Sequence, residues 1–354
     1  MSRFWVDSVS SLSPYIPGEQ PDARAFVKLN TNEHALPPSE AVMAAVASVS
    51  GEALRRYPDP TARSLRTSIA RQEGLSIDQV FVGNGSDEVL AHLWAAFLAG
   101  RPISSVDVTY GFYPVWSKLF GSSLTQWPLR EDFSVDIEAL INSEGAIVLA
   151  NPNAPTGLAL SRSLVERVVT ADRNRLVVID EAYYGFGAET SAPLIRDYDN
   201  LIVTRSLSKS HSLAGLRVGY ALAHSDLIGG LSRIKDSFNS YPLDAVAQAA
   251  ARAAIEDTVW SAHGSTVVID SRRRMSDGLQ KLGFEVLPSD ANFIFTRHHT
   301  VSGATLFDAL RERNILVRRW DNPRIADWLR ISIGTQEQTQ LLLAAISAII
   351  EAVV

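Results

Sequence analysis

The sequence predicts an α/β fold, with a large domain built on a mostly parallel sheet and a smaller α+β domain after it. Three observations lead there. Short apolar runs recur through the middle of the chain, amphipathic stretches of helical spacing separate them, and the pattern changes after about residue 256. The runs are QVFV from Gln79, AIVLA from Ala146, LVVID from Leu176, LIVT from Leu201 and VGYALA from Val218. A long helical stretch then passes through VVIDSRRRMSDGLQKLG, and strands are expected near ANFIFT, ILVRR and LRISIG. TQLLLAAISAIIEAVV closes the chain as an amphipathic helix, too short and too interrupted to span a bilayer. The expected division is 36–256 for the large domain, and 1–35 with 257–354 for an N-terminal arm plus a small C-terminal domain. The first residues, through LNTNEHALPPSE, are rich in turn formers and are expected to pack on either domain or on a second subunit.

At 354 residues the chain exceeds one ordinary core, and 46% apolar with 20% charged residues suits a folded enzyme rather than a disordered chain. A net charge of -6, with SRRRM as the one short basic block, disfavours nucleic acid as a partner. The absence of cysteine excludes disulfides, thiolate metal sites and cysteine nucleophiles, and no metal site is expected. The N-terminus MSRFWVDSVSSLSPY lacks the apolar core of a signal peptide. A cytoplasmic protein without a membrane partner is expected.

Four stretches carry chemistry. VGNGSDE runs from a strand through a Gly-Asn-Gly turn into a helix start, where backbone N–H groups near Ser86 and Asp87 form an anion site. LVVIDEAYYGF ends a buried strand in Asp180, where open α/β sheets place their ligands. ANPNAPTG supplies a turn, and TRSLSKSHSLAGLRVG sets Lys209 among serines, just before Arg217. Singly each has an ordinary reading: a well-capped helix, a strand-end cap, a loop, a solvated lysine. Their order gives each one role if the ligand is pyridoxal 5'-phosphate. Lys209 would bond to it covalently, and Asp180 would pair with the pyridinium nitrogen. Ser206, Ser208 and Arg217, with the N–H groups near Ser86 and Asp87, would hold its phosphate.

These motifs carry a resemblance. LSPYIPGEQP, KLNTNE, RYPDP, GNGSDE, YGFYPV, NPNAPTG, IDEAYYGF, SLSKSHSLAGLRVGY and LRISIGT, in this order along nearly the whole chain, resemble the histidinol-phosphate aminotransferase family. The resemblance implies the aspartate aminotransferase fold (fold type I), dependent on pyridoxal phosphate. It also implies transfer of an amino group from L-histidinol phosphate to 2-oxoglutarate, in histidine biosynthesis. Tyr110 would stack on the cofactor ring and Tyr183 would hydrogen-bond its phenolic oxygen. Tyr57 would reach the phosphate of the partner subunit's cofactor, so a homodimer with shared sites is implied. Tyr15, Asn32, Arg318 and Arg330 would line the substrate end.

Two departures stand out. Ala154 replaces the asparagine that relatives carry in this turn, so Asn153, a water or Tyr183 alone must serve the ring oxygen, and a shifted titration of the bound cofactor is expected. His34, in NEHALPP, is expected to face solvent. Rival readings are an aromatic amino acid aminotransferase and a threonine-phosphate decarboxylase. A non-catalytic regulator on the same fold is disfavoured by the presence of Lys209, Asp180 and Arg217 together.

Overall fold

The computed structural model describes residues 3–20 and 26–353; Pro21, the last residue of LSPYIPGEQP, lies outside the described residues. The first strand, β1 (Val27–Lys28), is two residues long. A seven-stranded sheet follows, made of β2 (Val80–Asn84), β3 (Pro102–Val106), β4 (Ser123–Trp127), β5 (Ala146–Ala150), β6 (Val177–Asp180), β7 (Leu201–Ser206) and β8 (Val218–Ala223). Their spatial order is β2-β8-β7-β6-β5-β3-β4. Neighbours from β4 across to β7 are parallel, while β8 runs antiparallel to both β7 and β2.

Both faces of this sheet are covered. Ile147 and Leu149 enter one core with Val177, Ile179 and Val203, whereas Val148 enters the other with Val178 and Ile202. Burial on both faces is why these strands read as unbroken apolar runs. β3 and β4 escaped that pattern. β3 carries buried Ser104, whose hydroxyl donates to Glu144 O at 3.0 Å and accepts from Trp127 Nε1 at 3.2 Å; β4 is the exposed edge. The covering helices have legible ends. Ser161 caps Arg162–Ala171 by accepting from Leu164 N, and Gly74, at φ +64°, closes Arg63–Glu73.

Asp257 caps the 24-residue helix Thr258–Lys281, which leads into a second sheet. Strands β9 (Phe284–Val286) and β10 (Phe293–His298) are antiparallel; β11 (Ile315–Leu316) pairs in parallel with β1, and β12 (Leu329–Ser332) completes the order β12-β10-β9. Its core gathers Val268, Met275, Ile294, Leu306, Ile331 and Ile346. The β1–β11 pair is a separate two-stranded sheet, and Leu29, just after β1, enters the same core as Ile315 and Ile331. Among the described residues no helix is long and apolar enough to cross a membrane, and no cluster of metal-ligating side chains is present.

The large sheet turns back on itself between β3 and β5; Tyr110 and Lys209 follow the carboxyl ends of β3 and β7, and Asp180 is the last residue of β6. Such a switch point leaves a crevice at the strand ends.

Candidate active site

A cavity of about 210 Å³ opens there, bounded on its far side by the segments around Tyr15, Asn32 and Arg330. Every site residue singled out from the sequence lines it, except Tyr57 and Asn153.

Lys209 sits in the short helix Leu207–Ser210 that follows β7, and its Nζ donates to Thr31 O at 2.8 Å. Burial, reinforced by Arg330, pushes the ammonium down from 10.5 to about 8. Asp180, 3% exposed, accepts from Tyr113 Oη and from Thr204 Oγ1, both at 3.0 Å. Burial outweighs these donors and raises its carboxyl from 3.8 to about 6. No cationic side chain lies in ion-pair contact with Asp180 among the described residues.

At one end of the cavity the turn after β2 closes on Arg217. Gly85 has φ +82°, and a Cβ there would lie 2.5 Å from Arg217 Nη2; a Cβ on Gly219 would lie 2.3 Å from Ser86 N. Only glycine permits this approach of backbone to backbone and guanidinium. Arg217 Nη2 pairs with Asp87 Oδ2 at 3.2 Å, and its Nη1 donates to Ser208 Oγ at 3.4 Å. Tyr110 donates its hydroxyl to Asp87 Oδ1 at 2.8 Å, and burial together with that carboxylate raises its pKa well above the ordinary phenol. Ser206 caps the helix of Lys209 by accepting from Ser208 N at 3.1 Å.

At the other end, consecutive residues of the segment after β1 each serve a different partner. Asn30 O accepts from Arg330 Nη2 at 2.8 Å, Thr31 O holds Lys209, and Asn32 Nδ2 donates to Tyr183 Oη at 3.0 Å. Asn32 has φ +57°, a conformation asparagine tolerates better than most residues. Tyr183 stands edge-on to Phe293, with ring centroids 4.9 Å apart. Arg330 lies against Phe293 and Trp320, and its Nε is buried without a hydrogen-bond partner among the described residues. Arg318 is bridged to Arg330 through backbone hydrogen bonds and reaches Ile16 O at 3.1 Å; Tyr15 stacks on Phe112 at 4.4 Å.

Two expectations need correction, those for Asn153 and His34. Asn153 faces away from the cavity: its Nδ2 donates to Val108 O and Thr156 Oγ1, and its Oδ1 accepts from Thr109, so this amide is already spent on the turn. Tyr57 is 81% exposed, stacked on Tyr241 outside the cavity of its own chain. His34 does not face solvent. It packs between Phe186 and Trp260, its Nδ1 accepts from Leu36 N at 3.0 Å, and burial lowers its pKa to about 4. Sequence reasoning passed over Asn30, Thr31, Tyr113, Thr204, Asn292 and Ser332. Five of them lie inside quoted motifs, KLNTNE, YGFYPV, TRSLSKS and LRISIGT, and Asn292 lies in ANFIFT, which was the available signal.

The family description Aminotransferase class I and II matches residues 24–346. The histidinol-phosphate aminotransferase of Gluconacetobacter diazotrophicus is 49% identical, with 99% of each chain covered. Histidinol-phosphate aminotransferase 1 of Bradyrhizobium diazoefficiens is 52% identical, over 99% of this chain and 100% of that one. Among solved structures, histidinol-phosphate aminotransferase from Sinorhizobium meliloti in complex with pyridoxal-5'-phosphate matches with a TM-score of 0.89 at 24% identity, over 100% of this chain and 99% of that one. A mutant aspartate aminotransferase of Thermus thermophilus matches with a TM-score of 0.84 at 19% identity, over 98% and 100%. These two structural likenesses establish the fold, and the two sequence relatives place the chain more narrowly. The chain belongs to the histidinol-phosphate aminotransferase family of the class I and II aminotransferases.

Proposed function

We propose that this protein uses pyridoxal 5'-phosphate to transfer the amino group of L-histidinol phosphate to 2-oxoglutarate, giving imidazole-acetol phosphate and L-glutamate. One observation carries the reading. A buried lysine amine and a buried carboxylate share a cavity with two guanidinium groups, Arg318 and Arg330, neither in ion-pair contact with a carboxylate among the described residues. The residues fit the cofactor. Asp180 lacks a cation that a protonated ring nitrogen would supply, and the glycine-lined turn leaves Arg217 beside the N–H of Ser86, where a phosphate would sit. Ser206 and Ser208 would complete that phosphate site, and Tyr110, Tyr183 and Asn32 would hold the ring.

Bound there, the cofactor supplies an electron-poor ring that stabilises the electron pair left when a substrate α-carbon loses its proton. Asp180 would pair with the ring nitrogen and keep it protonated. Lys209, whose amine titrates at about 8, accepts the α-proton: the C–H bond breaks, an N–H bond forms, and the same proton is available for return elsewhere. Histidinol phosphate has no carboxylate and glutamate has two, so Arg318 and Arg330 must take a phosphate from the donor and a carboxylate from the acceptor. The reading extends to a cytoplasmic homodimer in which exposed Tyr57 of one subunit reaches the phosphate site of the other. That reach would explain why a tyrosine of this motif stands outside its own cavity.

The test is a single-turnover absorbance experiment without keto acid, using L-histidinol phosphate, L-phenylalanine and O-phospho-L-threonine separately. Fastest bleaching of the visible cofactor band by histidinol phosphate is expected. Faster reaction with phenylalanine makes the protein an aromatic aminotransferase, and carbon dioxide release from phosphothreonine makes it a decarboxylase.

A further inference from the structure

The segment Asn30–Glu33 is built like a template, and its last residue has no part in the mechanism above. Asn30, Thr31 and Asn32 touch Arg330, Lys209 and Tyr183 in turn. Glu33 touches none of them directly. Its carboxylate instead accepts from the hydroxyl of Thr31 through one oxygen and pairs with Lys28, a β1 residue, through the other. Thr31 is the residue whose carbonyl receives the Lys209 amine. Its hydroxyl is thus tied on one side of the peptide unit while its carbonyl faces the cavity on the other.

We propose that Glu33 is a positioning residue for Lys209: clamped to Lys28, it fixes Thr31 so that the Thr31 carbonyl holds the free amine, and its charge favours a proton on that nitrogen. The inference rests on Lys209 being the reacting lysine. Four charged groups bear on Lys209 most strongly. Arg330 and Arg217 oppose its protonation, and Glu33 and Asp87 favour it. Asp180, Tyr183, Tyr110 and Arg318 line the same cavity. Asp87 is engaged with Arg217 and the hydroxyl of Tyr110, whereas Glu33 is joined to Thr31, the residue whose carbonyl receives the Lys209 amine. Glu33 is held on the Lys209 side of the cavity by Thr31, and its carboxyl is kept below the ordinary range by Lys28 and Thr31 against the cost of burial, with Lys209 contributing. In the proton transfer the amine becomes an ammonium when the α C–H bond breaks. Glu33 stabilises that ammonium at a fixed place; Lys28 keeps the carboxylate from swinging in to bind it outright.

The test labels Lys209 in the full-length chain after cofactor removal. Pyridoxal 5'-phosphate is added from pH 6 to 10, trapped with borohydride, and its incorporation at Lys209 is read by peptide mass spectrometry in wild type, Glu33→Gln and Thr31→Val. The midpoint of the labelling rate should fall by about half a unit to one unit in Glu33→Gln, because a nearby anion no longer favours the ammonium. It should fall less in Thr31→Val, which keeps the carbonyl and releases Glu33 from it. In the holoenzyme the acid limb of kcat should move the same way, with KM for the donor unchanged. Midpoints equal to wild type in both variants overturn the role of Glu33. If Glu33→Gln does not fold, Thr31→Val decides alone. Failure to label wild-type Lys209 at any pH overturns the assignment of that lysine instead, so the two failures are distinguishable.

Discussion

Asn32 and Ser332, 300 positions apart, are joined by two hydrogen bonds: Asn32 N donates to Ser332 Oγ at 2.8 Å, and that hydroxyl donates to Asn32 Oδ1 at 2.9 Å. Asn292 adds a third tie by donating its Nδ2 to Asn32 O at 2.9 Å. These contacts hold a left-handed residue in a buried setting and aim its remaining amide N–H at Tyr183. Ser332→Ala leaves a buried donor and a buried acceptor without partners, so unfolding in urea should show a loss of about 1–3 kcal/mol. Activity should fall with it, and Asn32→Ala should add little to the activity loss of Ser332→Ala if the two act as one unit.

Asp180 gives a pH-dependent prediction with a definite sign. Its folded pKa, about 6, lies above the ordinary 3.8, so the stability it contributes is fully present below about pH 4 and is lost as pH rises through 6. Asp180→Asn removes the buried charge while Tyr113 can still donate and the Thr204 hydroxyl can turn to accept. The cofactor-free variant should therefore exceed cofactor-free wild type in stability by about 3 kcal/mol at pH 8, with no difference below pH 4. With pyridoxal phosphate bound the order should reverse, since the ring nitrogen then meets the carboxylate. Thermal melts with and without cofactor at pH 4 and pH 8 check this; no crossing would mean that Asp180 does not face the ring nitrogen.

Much of this site could be read from the sequence because its central groups follow strand ends, and strand ends follow apolar runs. Asp180 and Lys209 close β6 and follow β7, both continuous buried strands. The groups that hold them were harder to see. Ser332 and Asn292 act on Asn32 across the whole chain, and no local period marks such a contact. Tyr113 and Thr204 looked like core and strand residues, and they are; only the direction of their hydroxyls makes them partners of Asp180. Asn153 misled for the opposite reason. Its neighbour in sequence lines the cavity, but the amide itself turns back to satisfy Val108 O. His34 misled because a polar residue in a turn-rich stretch reads as exposed until Trp260, on a distant helix, covers it.

Ala154 bears on the cofactor rather than on stability. It is 4% exposed, packs with Ala291 and Phe293 beside Tyr183, and lines the cavity. With Asn153 committed elsewhere, the proposed contact to the ring oxygen would fall to Tyr183, to which Asn32 donates. Ala154→Asn adds a donor at that oxygen, and a donor favours its charged form, so the pH midpoint of the holoenzyme's visible band should fall by about half a unit or more. Equal midpoints in the two proteins would remove the idea that the missing asparagine matters.

Arg330 and Arg318 test whether one set of cations serves both substrates. Arg330 is held by Asn30 O and lies against Phe293 and Trp320, a setting that fits a planar guanidinium and not an ammonium. In Arg330→Lys the charge remains but the paired hydrogen-bond geometry is lost, which should lower kcat/KM by about 10- to 100-fold, the equivalent of one charge-assisted hydrogen bond. The loss should appear with histidinol phosphate and with 2-oxoglutarate alike, because a phosphate and a carboxylate would occupy the same place. The visible band of the holoenzyme should stay as in wild type, since Asp180 and Lys209 are untouched. A loss confined to one of the two substrates would separate their sites and give Arg318 the other anion alone.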